Sequence, residues 1–182
     1  MMTNPTPGGA RPWRLGARTR KGVLAVHIVS AGVWIGIDVV MAVFIFTALL
    51  ANDDDTKALC FQALALFAVW SLLTAGLVCL VSGVVLGLGT KHGLVRYWWV
   101  AIKLVLNILL TALVPIALQP EVSRAAEQGW RFAAGEQGSL VVGNLIFPPI
   151  VSPTALLIAV VLAVFKPWGL IRKRLARQQN AR

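Results

Sequence analysis

The chain has 182 residues, of which 58% are hydrophobic and 13% charged, yet its formal net charge is +10. Soluble chains carry about 25% charged residues, and a mean hydropathy of +0.77 excludes most soluble-enzyme readings and places the chain among membrane proteins. Nor does a pI near 10.9 point to nucleic acid, because no basic face on a soluble fold is visible.

Residues 1–21, with Pro5, Pro7, Gly8, Gly9 and Pro12, read as a disordered basic arm on the cytoplasmic side. A bilayer core of about 30 Å needs roughly 20 apolar residues per helix, and four runs satisfy that length within residues 22–168. The first, Gly22 to Ala51, is too long for a signal-peptide core and lacks a small-residue cleavage site. The second, about Ala58 to Gly89, exceeds the minimum and should tilt or project beyond the lipid. It holds Cys60 and Cys79, roughly 28 Å apart on one helix and so unable to pair.

The third run covers Tyr97 to Leu118. In the connection after it, Pro120 at a first helical position and Gly129 as a stop predict a short surface helix, Glu121 to Gln128. The fourth run, Leu140 to Phe165, is interrupted by Pro148, Pro149 and Pro153. Ser152-Pro153 has the cap-then-first-turn order of a fresh helix start. On that reading Leu140 to Ile150 is an interfacial or re-entrant piece; a simple proline kink is the alternative. Residues 169–182 form a basic cytoplasmic tail attracted to anionic lipid. No internal repeat is present.

Charge supplies an independent check on the span count. Thirteen basic residues in the N-terminal arm, in the Lys91–Arg96 loop and in the tail share their segments with no acid. The other two loops set Lys57, Arg124 and Arg131 against Asp53, Asp54, Asp55, Glu121, Glu127 and Glu136. The Lys/Arg bias therefore predicts both termini in the cytoplasm, which requires an even number of spans. The fold class expected is all-α: a transmembrane four-helix bundle, N-in and C-in, in the plasma (inner) membrane. Trp13, Trp98, Trp99, Trp130 and Trp168 lie near run ends, where indole rings favour the headgroup region.

Ionisable residues inside apolar runs are functional candidates by default, and there are three: His27, Asp38 and Lys103. On the first helix His27, Trp34 and Asp38 return to within roughly 20° of one another and form one stripe. Ser30, Ala31, Gly32 and Gly36 would let a neighbouring helix or flat ligand approach closely. On the third helix Lys103, Asn107 and Thr111 share a face, so an interior polar groove between these two helices is expected. Two registers are open. Measured from the cytoplasmic ends, His27 lies roughly 8 Å in and Lys103 roughly 9 Å; measured from the outer ends, Asp38 lies roughly 21 Å down and Lys103 roughly 22 Å. In the first register His27 and Lys103 flank one site; in the second Asp38 and Lys103, with Asn107 beside them, form an ion-pair or proton site. Blander roles compete: a transmembrane histidine can simply bond a neighbouring helix, and Lys103 can snorkel to headgroups.

His27, Trp34 and Gly36 (His-x6-Trp-x-Gly), Ser82-Gly83 late in the second run, and Trp99 with Lys103 (Trp-x3-Lys) together resemble a pattern found in small bacterial four-helix membrane proteins. That group includes HemJ-type protoporphyrinogen oxidases, CopD-type copper-resistance domains and predicted integral membrane proteins. The resemblance covers residues 22 to 118. For HemJ-like proteins it implies b-type haem or a porphyrin bound by the first-helix histidine, with the third-helix lysine also important. Those roles fall on His27 as the metal ligand and on Lys103, with Trp34 and Trp99 beside the cofactor. No second intramembrane histidine accompanies His27, so bis-histidine haem within one chain is excluded, and Asp38 is outside the pattern. A copper role is less favoured, since copper(I) prefers Met and Cys and the methionines are Met1, Met2 and Met41.

Three functions follow from these residues. One is a haem- or porphyrin-binding membrane protein with His27 as axial ligand. Another is a small proton-coupled transporter that titrates Asp38 and uses the broken fourth run as its path. The last is a non-catalytic subunit, homo- or hetero-oligomeric, that docks through small-residue faces. The phosphate loops, paired carboxylates and nucleophile elbows that would identify an enzymatic reaction are missing from the sequence.

Overall fold

The computed structural model describes residues 16–89 and 97–165. The first fifteen residues, the Lys91–Arg96 loop and the basic tail, with Trp13 and Trp168, lie outside the described residues. Five α-helices run α1 Ala17–Leu50, α2 Asp54–Leu88, α3 Trp98–Leu113, α4 Gln119–Ala133 and α5 Pro148–Phe165. A π-helical segment, Val114–Leu118, joins α3 to α4, and a 3-10 turn, Gly143–Ile146, precedes α5. Four stretches are long and apolar enough to cross a membrane: Ala17–Leu50, Asp54–Leu88, Trp98–Ala133 and Gly143–Phe165. Among the described residues the structure is helical without a strand. Large apolar side chains such as Leu66, at 81% exposure, Trp70, Val105 and Leu157 point outward. In water such a surface would be untenable; in hydrocarbon it is the ordinary one.

The helix ends depart from the sequence expectations for local reasons. Residues 17–21, placed in the arm, begin α1, because Ala, Arg and Lys are good helix formers and the Arg20 N–H donates to the Gly16 carbonyl at 2.9 Å. α2 starts at Asp54, since Asp53 caps it by accepting the Thr56 N–H at 2.7 Å. That backbone bond, helped by the Thr56 hydroxyl, holds the Asp53 carboxyl below the usual carboxylate range. Asp54 and Asp55 complement the positive end of the helix dipole.

Pro120 stands in the first turn of α4, as expected, but no break separates that helix from the third stretch. It continues without interruption from Trp98 to Ala133, because widening to the π-helical pitch over Val114–Leu118 absorbs the clashes and missing donors of Pro115 and Pro120. Gly129 is likewise inside α4 and stops nothing. It sits where α4 crosses α2, and a Cβ there would lie 2.8 Å from the Ala58 carbonyl oxygen. Gln62 Nε2 donates to the Gly129 carbonyl at 3.0 Å in the same crossing. The stop comes at Gly135, whose positive φ of 84° lets Gly135 and Glu136 donate back to Phe132 and Arg131. The resulting α4 is amphipathic: Val122, Ala125, Ala126 and Gly129 face α2, and its outward charges are paired, Arg124 with Glu121 and Arg131 with Glu127 and Glu136.

In the fourth stretch the break falls at Phe147, between the 3-10 turn and α5. Ser152 is not a helix cap, because Pro148 already opens α5 and Pro153 lies inside it. Prolines in a first turn lose no intrahelical bond, so the pair 148–149 is where a helix can begin. α2 packs on α1, α3 and α4, while α5 closes the ring by packing on α1 and α3. α1 and α3 therefore lie on opposite sides of the ring, and the core runs along the α1–α2 seam through Trp34, Met41, Ile45, Phe61, Leu64 and Leu72.

Because the obstacle at Gly129 is backbone, Gly129→Ala should destabilise the α2–α4 crossing by about 1–3 kcal/mol, read as a lower unfolding midpoint of the detergent-solubilised protein. An exposed α4 control, Arg124→Ala, should leave the midpoint nearly unchanged.

Candidate functional site

The polar stripe of α1 contributes to two separate places. Near one end, His27 Nδ1 lies 3.0 Å from the Cys79 carbonyl and 3.1 Å from Ser82 Oγ. A carbonyl can only accept, so Nδ1 carries the proton and donates. Ser82 Oγ uses its own hydrogen toward the Val78 and Cys79 carbonyls and accepts from the imidazole. Gly83 leaves room for the ring: a Cβ there would lie 3.1 Å from His27 Cε1. On α3, Lys103 Nζ lies 4.6 Å from the centroid of the Trp99 ring. The structure thus brings Lys103 together with Trp99. Asn107 accepts from the Thr111 hydroxyl at 3.3 Å.

Asp38 belongs to the second place, eleven residues or about 16 Å farther along α1. It is fully buried, at 0% exposure, and its Oδ2 accepts a 2.7 Å hydrogen bond from the Ser152 hydroxyl of α5. Its Oδ1 is buried without any hydrogen-bond partner. Trp34, one turn away and also buried, stands against Gly76 of α2. A Cβ on Gly76 would come within 2.8 Å of the indole and 2.9 Å of Thr111 Oγ1. Gly32 and Gly36, expected to admit a neighbouring helix, face open space instead; they are on the outward side of α1.

Asp38 and Trp34 line a cavity of about 510 Å³, within the range of small-molecule sites. Leu72, Leu110 and Val114 form much of its wall; Glu121, Arg124 and Asn144 bring polar groups from α4 and the 3-10 turn. Glu121 Oε1 accepts from Arg124 at 2.8 Å and from Asn144 Nδ2 at 3.5 Å. The π-helical segment and the broken start of the fourth stretch both border the space, and π-helical turns recur at functional sites. Lys103, Asn107 and His27 are absent from this wall. Sequence reasoning missed Ser152 as the partner of Asp38, having assigned its hydroxyl to a cap. It also missed Glu121 and Arg124, which lay in an expected surface helix, and Asn144, which lay in the interfacial or re-entrant piece expected over Leu140 to Ile150. The available signal was a hydroxyl set between an apolar residue and a proline, in the helix that closes the bundle.

Among the described residues no three His, Cys, Asp or Glu side chains converge as a metal site, and Cys60 and Cys79 are free thiols. Removing the donor with Ser152→Ala would leave both Asp38 oxygens unsatisfied and should lower stability by about 1–3 kcal/mol. Asp38→Asn keeps the shape, discards a buried charge and should be neutral or stabilising. Unfolding midpoints of the two variants would separate these outcomes. No protein-family model matches the chain, and neither a curated protein nor a solved structure is recognisably similar to it.

Proposed function

We propose that the protein is a small proton-coupled transporter of the plasma (inner) membrane, with both termini cytoplasmic, that binds its solute in the Asp38 cavity and exchanges it against a proton there. The observation that carries this reading is Asp38 Oδ1, a buried carboxylate oxygen with no partner on the wall of a cavity large enough for a small molecule. A buried carboxylate needs a proton or a cation beside it, and alternation between the two is the basis of coupling. The discontinuity before α5 places irregular backbone at the cavity, as discontinuous helices do in transporters. Orientation rests on the basic bias of the arm, the Lys91–Arg96 loop and the tail.

The test is flux. Proteoliposomes under an imposed pH gradient are offered a panel of radiolabelled amines, amides and alcohols. Uptake of at least one above protein-free vesicles, abolished by Asp38→Asn, is expected. Equal uptake by wild type and variant would sink the proposal.

A second reading, haem or porphyrin binding at His27, is supported by the imidazole itself. Donation of Nδ1–H to a backbone carbonyl is the usual outer-shell arrangement of a metal-ligating histidine. It leaves Nε2, which makes no hydrogen bond among the described residues, as the basic nitrogen. Bound haem would supply redox chemistry; the chain would supply its axial nitrogen and, through Cys79 and Ser82, its ring orientation. Haem-replete protein should then show a Soret band that His27→Ala removes, and an unchanged band in the variant would exclude the assignment.

A further inference from the structure

We infer that the ligand of the Asp38 cavity is an organic monocation: a protonated amine carried on a compact apolar body. This deepens the reading of that cavity as a solute site and rests on it. Four observations narrow the chemistry.

The first is the unmet demand of Asp38. Ser152 satisfies Oδ2, so what Oδ1 lacks is a donor, and an ammonium supplies donor and opposite charge together. The second is the scarcity of other oxygens. Apart from Asp38, the side-chain oxygens on the wall belong to Ser152, Glu121 and Asn144; Ser152 already donates to Asp38, and Glu121 already accepts from Arg124 and Asn144. A bare calcium ion takes six to eight oxygens and magnesium retains several waters, neither of which this wall provides.

The third observation is the wall itself. Trp34, Met41, Leu72, Leu110 and Val114 offer an apolar lining, which rewards a hydrocarbon body, while an aromatic ring one turn from the carboxylate favours a cation. The fourth is access. Ile116, at 72% exposure, Phe147 and Val151 line the cavity and also face the lipid side. A solute that partitions into the bilayer reaches the space between them without crossing the charged Glu121–Arg124 pair. An apolar anion fails on the first count and a fully polar cation on the third.

The experiment titrates the detergent-purified full chain, by calorimetry, with three probes sharing one cage: adamantylammonium, adamantanol and adamantanecarboxylate. The ammonium should bind at least about ten-fold more tightly than the alcohol. Asp38→Asn should reduce it to the alcohol's affinity, and Val151→Trp, at a half-exposed rim position, should weaken all three. The wild-type comparison is decisive even if a variant fails to fold. If the alcohol equals the ammonium, or the carboxylate binds best, cation recognition is overturned while the cavity remains a solute site. If none binds, the solute-site reading falls with it.

Discussion

A single hydrogen bond, from Ser152 to Asp38, joins the first helix to the last at a carboxylate that is fully buried and makes no ion pair among the described residues. Everything near it is arranged around that contact. α5 must start where it does to present Ser152, so the chain returning from α4 is turned by a glycine and a 3-10 segment before helix formation resumes at two prolines. α1 must expose its Asp38 stripe to the interior, which fixes Trp34 against Gly76 and sets the α1–α2 seam. The bond satisfies only half of the carboxylate. A core built solely for stability would have an apolar side chain there, so the remaining oxygen is a cost to the fold.

The cavity beside it has a structural origin. In an ideal helix, Pro115 and Pro120 would each break a turn; here one π-helical stretch accommodates both and carries the third span onward as α4. The widened turn and the interrupted fourth stretch lie on the same side of the ring, and neither can pack as closely as regular helices do. The space left between them is lined by Asp38 and by the Glu121–Arg124 pair. Hydrophobic spans, prolines and a buried acid are thus parts of one arrangement.

Much of this was legible in the residues. Four spans follow from apolar length, and the His27–Trp34–Asp38 stripe follows from helical period; Trp34 and Asp38 are indeed buried on that face. What could not be read was which helices are neighbours. Polar faces on α1 and α3 suggest a shared groove, but nothing local says that α2 and α5 stand between them, or that Asp38 faces α5. Glycine and proline misled for a related reason. Gly129 has the same composition whether it ends a helix or admits another backbone, and only the crossing with Ala58 distinguishes the two. Pro120 does mark the first turn of α4, but only the widened turn before it shows that the helix is continuous with the third stretch.

The Asp38–Ser152 contact spans 114 positions in sequence, and that separation has a consequence for biogenesis. At translation rates of about 5–20 residues per second, Asp38 enters the membrane on the order of ten seconds before its partner has been synthesised. An aspartate near a helix centre opposes insertion by about 2.5–3.5 kcal/mol, and through that interval its own helix and the α2 that packs on it must compensate without Ser152. The strongly apolar flanks of α1, with a mean hydropathy of 2.4 over its best window, contribute to that compensation. The first two helices therefore hold the acid in place until the last helix arrives to bind it.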